Sequence, residues 1–312
     1  MTDPRSSSPT GDISFPKLLF YHLDIPVREI VPILGKGSVN EVFRIQQENG
    51  IERILRLNHD REAEEALYEY NREVWCMKMA SRAGIPTSAS LGFGTWEGRS
   101  WMLQAFIPGP TAIDVPESNE AVWRFLGGCL RRMEEFDWAA HDAEARTVFG
   151  DRGPASHWQG QLGLNLDSLT PQDPLLKLGV YAFEQQEDIR RTFSELHAVQ
   201  PRFGLAHGDF SRRNVILSPE GPVLIDWGCS TEGLLPIYEI GEALRNAVDG
   251  DPDTAGFRAF EEGYGSFEPY EAHIRALRLL RSFDLVRWAI EWRPDRIEEL
   301  AESARKTAES YL

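Results

Sequence analysis

Cysteine is scarce in this chain: 312 residues hold three, Cys76, Cys129 and Cys229. An odd number at wide spacing excludes a disulfide framework and matches neither metal-ligand nor redox spacing. All three are expected as buried thiols of a cytoplasmic protein. Long apolar runs are absent as well. No stretch of about 18 apolar residues occurs, so no membrane-spanning helix is expected. The opening stretch, Met1 to Asp12, is rich in Ser and Pro and lacks the apolar core of a signal peptide. It is expected to be a disordered tail. Basic charge is short too, with 33 Lys and Arg against 49 Asp and Glu and a net charge of −16. Lys and Arg neutralisation of phosphates drives nucleic-acid binding, so such a surface argues against nucleic acid. It favours cationic small molecules instead. Internal repeats and sustained heptads are missing.

What is present suits a globular protein of one large or two modest domains, 42% hydrophobic and 26% charged. The densest chemistry runs from His207 to Gly228: His-Gly-Asp-Phe-Ser-Arg-Arg-Asn, then Val-Ile-Leu, Ser-Pro-Glu-Gly, Pro-Val-Leu-Ile, and Asp-Trp-Gly. Two apolar runs, Val215–Leu217 and Val223–Ile225, flank the turn-forming Ser218-Pro219-Glu220-Gly221, which reads as a β-hairpin. Antiparallel partners then have numbers summing to about 440, with Cβ atoms of opposed residues roughly 4.5–5.5 Å apart. Asn214 would face Asp226, bringing an amide oxygen and a carboxylate to one place. Mg²⁺ prefers such oxygen ligands, usually one or two carboxylates plus substrate phosphates. Asp209 stands five residues before Asn214, placed to contact a substrate hydroxyl.

These residues resemble the catalytic loop and metal motif of the aminoglycoside phosphotransferase family, the small-molecule branch of the protein-kinase-like fold. His207-Gly208-Asp209 with Asn214 stands where protein kinases carry H-R-D-x-x-x-x-N, and Asp226-Trp227-Gly228 stands where they carry D-F-G. The resemblance implies an α+β, bilobal, protein-kinase-like fold. A small N-terminal antiparallel sheet plus one helix would occupy residues 13–107, and a larger, mostly helical lobe residues 108–312.

In the first lobe, Ile30 to Ile45 reads as strand, glycine turn, strand around Gly35-Lys36-Gly37-Ser38. Alone, Gly-x-Gly is an ordinary hairpin turn. The resemblance makes it a loop over nucleotide phosphates, with Ser38 and Asn40 at its tip. Arg53 to Leu57 is a third strand, and Arg56 falls where the family carries a phosphate-binding Lys. Arg is not a neutral replacement, and a solvated strand charge is the competing reading. Glu62 to Ala83 carries the apolar stripe of a helix, Ala63, Ala66, Leu67, Tyr70, Val74 and Met77. Glu73 is picked as the partner of Arg56 by its match to the family's R-E pattern. Two further strands are expected near Ser90–Thr95 and Ser100–Ile107. In kinase-like folds the chain crosses lobes after them, so the backbone of Gln104, Ala105 and Phe106 would meet the purine.

In the second lobe, Asn119 to Asp137 reads as an amphipathic helix, and Trp138 to Pro174, rich in Gly, Pro, Asp and Ser, as loop. Leu175 to Val199 resumes as helix, and the region after Pro236 is mostly helical. Trp288 and Trp292, at i and i+4, are expected to pack in the core. Glu239 stands where the family has an Asp bracing the catalytic loop. Asp249, Asp251, Asp253 and Asp284 are further acids that could hold a substrate ammonium group.

The resemblance implies Mg²⁺-dependent transfer of the γ-phosphoryl group of ATP or GTP to a hydroxyl of a small molecule, such as an aminoglycoside or related antibiotic. Asp209 would accept the hydroxyl proton, Asn214 and Asp226 would hold the metal, and Arg56 would clamp the other phosphates. Two alternatives remain open: a metabolic kinase acting on an amino sugar, choline-like or homoserine-like acceptor, and a non-catalytic nucleotide-binding protein.

Overall fold

Period-two burial marks the first strands. Along Asn40–Gln47, Glu41, Phe43 and Ile45 are buried and the residues between them are less so, the alternation of a sheet with one packed face. The computed structural model describes residues 13–34, 40–58, 63–149, 154–198, 202–247 and 254–311. The N-terminal stretch expected as a tail, the glycine turn with Gly35, Gly37 and Ser38, and the acids Asp249, Asp251 and Asp253 lie outside the described residues.

The chain divides into two compact units. The first comprises the chain up to Gly109 together with Ile216–Gly228. It holds α1 (Ser14–His22), β1 (Val27–Pro32), β2 (Asn40–Gln47), β3 (Glu52–Asn58), α2 (Ala63–Arg82), β4 (Ser90–Trp96) and β5 (Arg99–Ala105). The five strands form one antiparallel sheet in the order β1-β2-β3-β5-β4. Leu55 and Leu57 of β3 turn to a cluster with Leu19 and Phe20 of α1, Ile30, Phe43, Ile45 and Leu103. Side chains alternate along a strand, so Arg56, between those two leucines, points to the other face. There α2 buries Ala66, Tyr70, Glu73, Met77 and Ala80 at three- and four-residue steps. One α-helix beside the sheet was expected; α1 is a second.

The second unit, Pro110–Val215 and Cys229–Leu312, is built of helices. They are α3 (Asn119–Glu135), α4 (Asp142–Phe149), α5 (Pro154–Ser168), α6 (Pro174–Lys177), α7 (Gln186–Ala198), α8 (Ile237–Ala247), α9 (Ala255–Tyr264), α10 (Glu271–Trp292) and α11 (Ile297–Tyr311). The strands Arg202–Ala206 and Thr231–Leu235 pair antiparallel. Helices α3 and α9 touch backbone to backbone. A Cβ on Gly127 would lie 2.0 Å from Phe260 O, and one on Gly263 1.9 Å from Arg124 O, so this crossing requires glycine at both places. A core of Leu162, Ile189, Phe193, Leu196, Ile237, Leu277, Leu280 and Phe283 joins α5, α7, α8 and α10.

The structure departs from the sequence-based expectations at four places. The stretch from Trp138 to Pro174 is mostly helix rather than loop, containing α4 and α5. Gly160 and Gly163 weaken the local signal of α5, but burial of Leu162 and Asn165 overrides propensity. The helix expected over Leu175–Val199 is broken into α6 and α7, with Gly179 at φ +66° between them. Trp288 and Trp292 are 42% and 59% exposed, because α10 turns Phe283, Val286 and Ala289 to the core instead. Cys76 and Cys129 are buried, whereas Cys229 is exposed. Among the described residues, no helix is long and apolar enough to cross a membrane.

Candidate active site

The sequence-selected residues fall into two groups, one in each unit. In the first unit, β3 and α2 bring Arg56 and Glu73 together, 17 residues apart in sequence, in a hydrogen-bonded ion pair. Both side chains are largely buried, 13% and 3% exposed. Burial pushes the Glu73 carboxyl above its ordinary value, with Arg56 opposing that push. Arg56 keeps its charge, since Glu73 and Asp226 outweigh the cost of its own burial. Its Nη2 lies 3.9 Å from Asp226 Oδ1.

Asp226 is delivered by the hairpin of Val215–Ser218 and Gly221–Leu224, which has the two-residue turn Pro219-Glu220. The hairpin is as expected, but the device that presents Asp226 is not. Asn214 ends a 3-10 turn before the first strand, and Asp226 lies two residues past the second. Neither belongs to the ladder, so the expected cross-strand opposition does not place them. Asp226 instead adopts φ +64°, a left-handed conformation that Asp tolerates better than most residues. Its neighbours hold it there. Trp227 is fully buried and donates through Nε1 to Thr87 Oγ1 at 2.8 Å. Leu224 N donates to Pro86 O at 2.9 Å, and Arg72 Nη2 reaches Gly228 O at 3.3 Å. The Asp226 side chain is 54% exposed.

Of the other nucleotide-side residues, Asn40 begins β2 and its Oδ1 accepts from Tyr70 OH at 3.0 Å. Tyr70 also lies with its ring centre 5.8 Å from the Arg56 guanidinium. In the sequence Tyr70 is one member of the apolar stripe of α2. Gln104 is buried, with Nε2 3.5 Å from Met77 Sδ. Ala105 N donates to Ala89 O at 2.9 Å, so that amide cannot also donate to a purine. Phe106 follows the end of β5 and lies under the guanidinium of Arg44, 4.6 Å from its ring centre.

In the second unit, the loop after strand Arg202–Ala206 carries His207, Asp209 and Asn214. Gly208 has φ +79°, and a Cβ there would stand 2.3 Å from Cys229 O. Only glycine fits this turn. His207 is fully buried, and its Nδ1 accepts from Asp209 N at 3.2 Å. This bond ties the His207 ring to the loop. Asn214 Nδ2 donates to Asp209 O and to Asp209 Oδ2, both at 2.9 Å. Arg213 Nη2 lies 2.7 Å from Oδ1 and 2.9 Å from Oδ2 of the same carboxylate. Burial alone would raise the Asp209 carboxyl, but Arg213, Asn214 and His207 together hold it below its ordinary 3.8. Arg212 turns away and ties the loop to the Ala112 and Val115 carbonyls at 2.7 and 3.0 Å. Neither arginine was singled out in the sequence, because the motif spacing ends on Asn214.

Glu239, on the first turn of α8, is fully buried and accepts from Gly208 N at 3.0 Å. It therefore contacts the loop from which Asp209 projects. Burial pushes its carboxyl up to about 8, against the opposing Gly208 hydrogen bond. Asp284, considered for a substrate ammonium, instead accepts from Asn165 at 2.7 Å and Arg281 at 3.3 Å.

Each unit carries one of the oxygen donors selected from the sequence. Asp226 offers an exposed carboxylate. The Asn214 amide nitrogen is turned to Asp209, which leaves its oxygen as the group to offer a metal. Among the described residues, no cluster of three His, Cys, Asp or Glu suits a metal ion.

The model of the phosphotransferase enzyme family matches residues 30–280. No curated protein matches the chain. Solved structures resemble it at low identity. The GDP and kanamycin complex of APH(2")-IIia is 13% identical, with TM-score 0.70, over 96% of this chain and 100% of that one. The complex of a thermostable mutant of aminoglycoside phosphotransferase APH(4)-Ia with AMP-PNP and hygromycin B is 16% identical, with TM-score 0.65, over 96% and 99%. Amicoumacin kinase hAmiN with AMP-PNP, Ca²⁺ and Ami is 15% identical, with TM-score 0.63, over 95% and 94%. At these identities the likeness is one of fold, and the fold is kinase-like.

Proposed function

Because the chain belongs to the phosphotransferase enzyme family, we propose that it transfers the γ-phosphoryl group of ATP or GTP to a hydroxyl of a small molecule, with Mg²⁺. The observation that carries this reading is the arrangement around Arg56. One buried guanidinium pairs with Glu73 and stands 3.9 Å from Asp226 Oδ1, as a phosphate clamp beside a metal-binding carboxylate requires. A solvated strand charge would not be 13% exposed and paired to a buried acid.

In this mechanism Arg56 binds the phosphates that are not transferred, and the glycine motif Gly35–Ser38 with Asn40 is assigned to the same phosphates from its sequence alone. The backbone around Gln104 and Phe106 meets the purine. Asn214 and Asp226 would hold Mg²⁺, which would supply charge neutralisation on the phosphate oxygens. Asp209 orients the acceptor hydroxyl and takes its proton at its carboxylate late in the transfer. A loose, metaphosphate-like transition state needs little base strength, so positioning and charge neutralisation account for most of the rate. His207 and Glu239 support the loop and exchange no proton with substrate.

The acceptor is an aminoglycoside or a related antibiotic in the first instance. The net charge of −16 suits such a cation. The solved structures that share the fold include complexes with kanamycin and hygromycin B. An amino sugar, choline-like or homoserine-like acceptor is the second class. A phosphorylation screen with MgATP and MgGTP across these acceptors tests the reading. Transfer by the wild type and its loss in Asp209→Ala are expected; a protein that binds MgATP yet neither transfers nor hydrolyses would instead be a non-catalytic nucleotide binder.

A further inference from the structure

Arg213 follows Asp209 by four residues, in the 3-10 turn Arg212–Asn214. Its Nη2 is 2.7 Å from one carboxylate oxygen of Asp209 and 2.9 Å from the other. From the same turn, Asn214 Nδ2 is 2.9 Å from Oδ2. Two neighbouring residues thus straddle one carboxylate, and together they restrict its rotation about the Cβ–Cγ bond. The partners differ in exposure: the Asp209 side chain is 13% exposed and that of Arg213 54%. An ion pair with one solvated partner adds little to stability. Its effect falls on where the carboxylate points.

We propose that Arg213 is a positioning residue for phosphoryl transfer, acting through Asp209: its guanidinium holds the carboxylate in the orientation that meets the acceptor hydroxyl. This rests on the reading of Asp209 as the group that takes the hydroxyl proton. The groups around that carboxylate divide the work by charge and reach. Asn214 fixes Oδ2, His207 Nδ1 fixes the Asp209 backbone amide, and Arg213 alone among these reaches both oxygens. Arg212, the neighbouring cation, cannot substitute for it, because its Nη2 is held by the Ala112 and Val115 carbonyls. Orientation matters here because small misplacements of a reacting group cost large factors in rate.

The test uses the full chain and MgATP hydrolysis, with water standing in for the acceptor. Four proteins are compared: Arg213→Met, Arg213→Lys, Asp209→Asn and the double variant Asp209→Asn with Arg213→Met. Arg213→Met should lower kcat about tenfold or more with the KM for MgATP unchanged, and Arg213→Lys should recover most of the loss. The double variant should be no slower than Asp209→Asn alone, since the arginine then has nothing left to position. A wild-type kcat in Arg213→Met overturns the proposal, as does a further loss from Arg213→Met in the Asp209→Asn background. If Asp209→Asn itself keeps the wild-type rate, the base assignment beneath it fails, and that result is distinct from the other two. Thermal melts and MgATP titration calorimetry confirm that each variant is folded.

Discussion

Arg56 and Glu73 form a hydrogen-bonded ion pair between β3 and α2, and the same guanidinium reaches toward Asp226 at 3.9 Å. A planar fork with several donors can address two carboxylates at once, which a lysine ammonium does as a point charge only. Arg56→Ala is therefore expected to raise the KM for nucleotide while leaving kcat at saturation less affected. It should also destabilise the fold by about 3–5 kcal/mol, because Glu73 would remain buried without its partner. Steady-state kinetics and urea melts measure both, and an unaltered KM would mean that Arg56 does not touch the nucleotide.

Asp226 holds its backbone at φ +64°, so replacing it with alanine would mix a charge effect with a conformational one. Asp226→Asn keeps a residue that adopts this conformation readily and removes the charge. Its Mg-dependent affinity for ATP should fall at least about tenfold, as expected when a charged ligand to a hard cation is lost. Titration calorimetry with and without Mg²⁺ reads this directly. An unchanged MgATP isotherm would remove Asp226 from the metal site.

Asp209→Ala should bind MgATP as the wild type does and lose turnover by about 10²-fold or more, the scale of a positioned general base. Binding and single-turnover phosphoryl transfer, measured on the same preparation, separate the two effects. Full turnover would show that the carboxylate has no part in the chemistry.

Glu239 links pH to stability. Burial raises its carboxyl from 4.5 to about 8, so between those values the native chain keeps a proton that the unfolded chain has released. Its contribution is fully present below 4.5 and is lost as pH rises through about 8, by up to roughly 1.4 kcal/mol per pH unit. Glu239→Gln cannot ionise and should flatten that slope in urea melts taken across the same window. An equally steep slope in the variant would place the titration elsewhere.

Asp173 and Arg287 hold α6 to α10. Asp173 is 1% exposed. It accepts from Arg287 at 3.0 and 2.9 Å, from Tyr181 OH at 2.8 Å and from Leu175 N at 3.0 Å. Asp173→Ala should cost about 3–5 kcal/mol, chiefly from the guanidinium left without its carboxylate. Adding Arg287→Met should recover part of that loss. Both variants should keep kcat per folded molecule, which activity normalised to the folded fraction will show.

Much of the candidate site was legible because its signals are local. His207-Gly208-Asp209, Asn214 and Asp226-Trp227-Gly228 lie within one stretch of 22 residues, and the turn between the apolar runs predicts the hairpin that the structure contains. Glu73 could be picked as the partner of Arg56 because a family pattern and the edge of a helical stripe coincide there. Arg213 and Tyr70 were not legible. Their importance comes from contacts with Asp209, Asn40 and Arg56, and an exposed arginine or a tyrosine in an apolar stripe looks ordinary in sequence. Helix α5 was missed because its glycines and polar residues suggest loop until Leu162 and Asn165 are buried against neighbouring helices.

By itself the sequence determined which residue types stand at motif spacing, where period-two strands give way to helices, and which acids and amides cluster within one short stretch. Those properties depend on residues near one another along the chain. The tertiary structure alone decided how Asp226 is presented, which face of α10 is buried, and which cation meets Asp209. Each of these depends on partners distant in sequence or on a backbone angle that neighbouring packing imposes, and neither is encoded in local spacing.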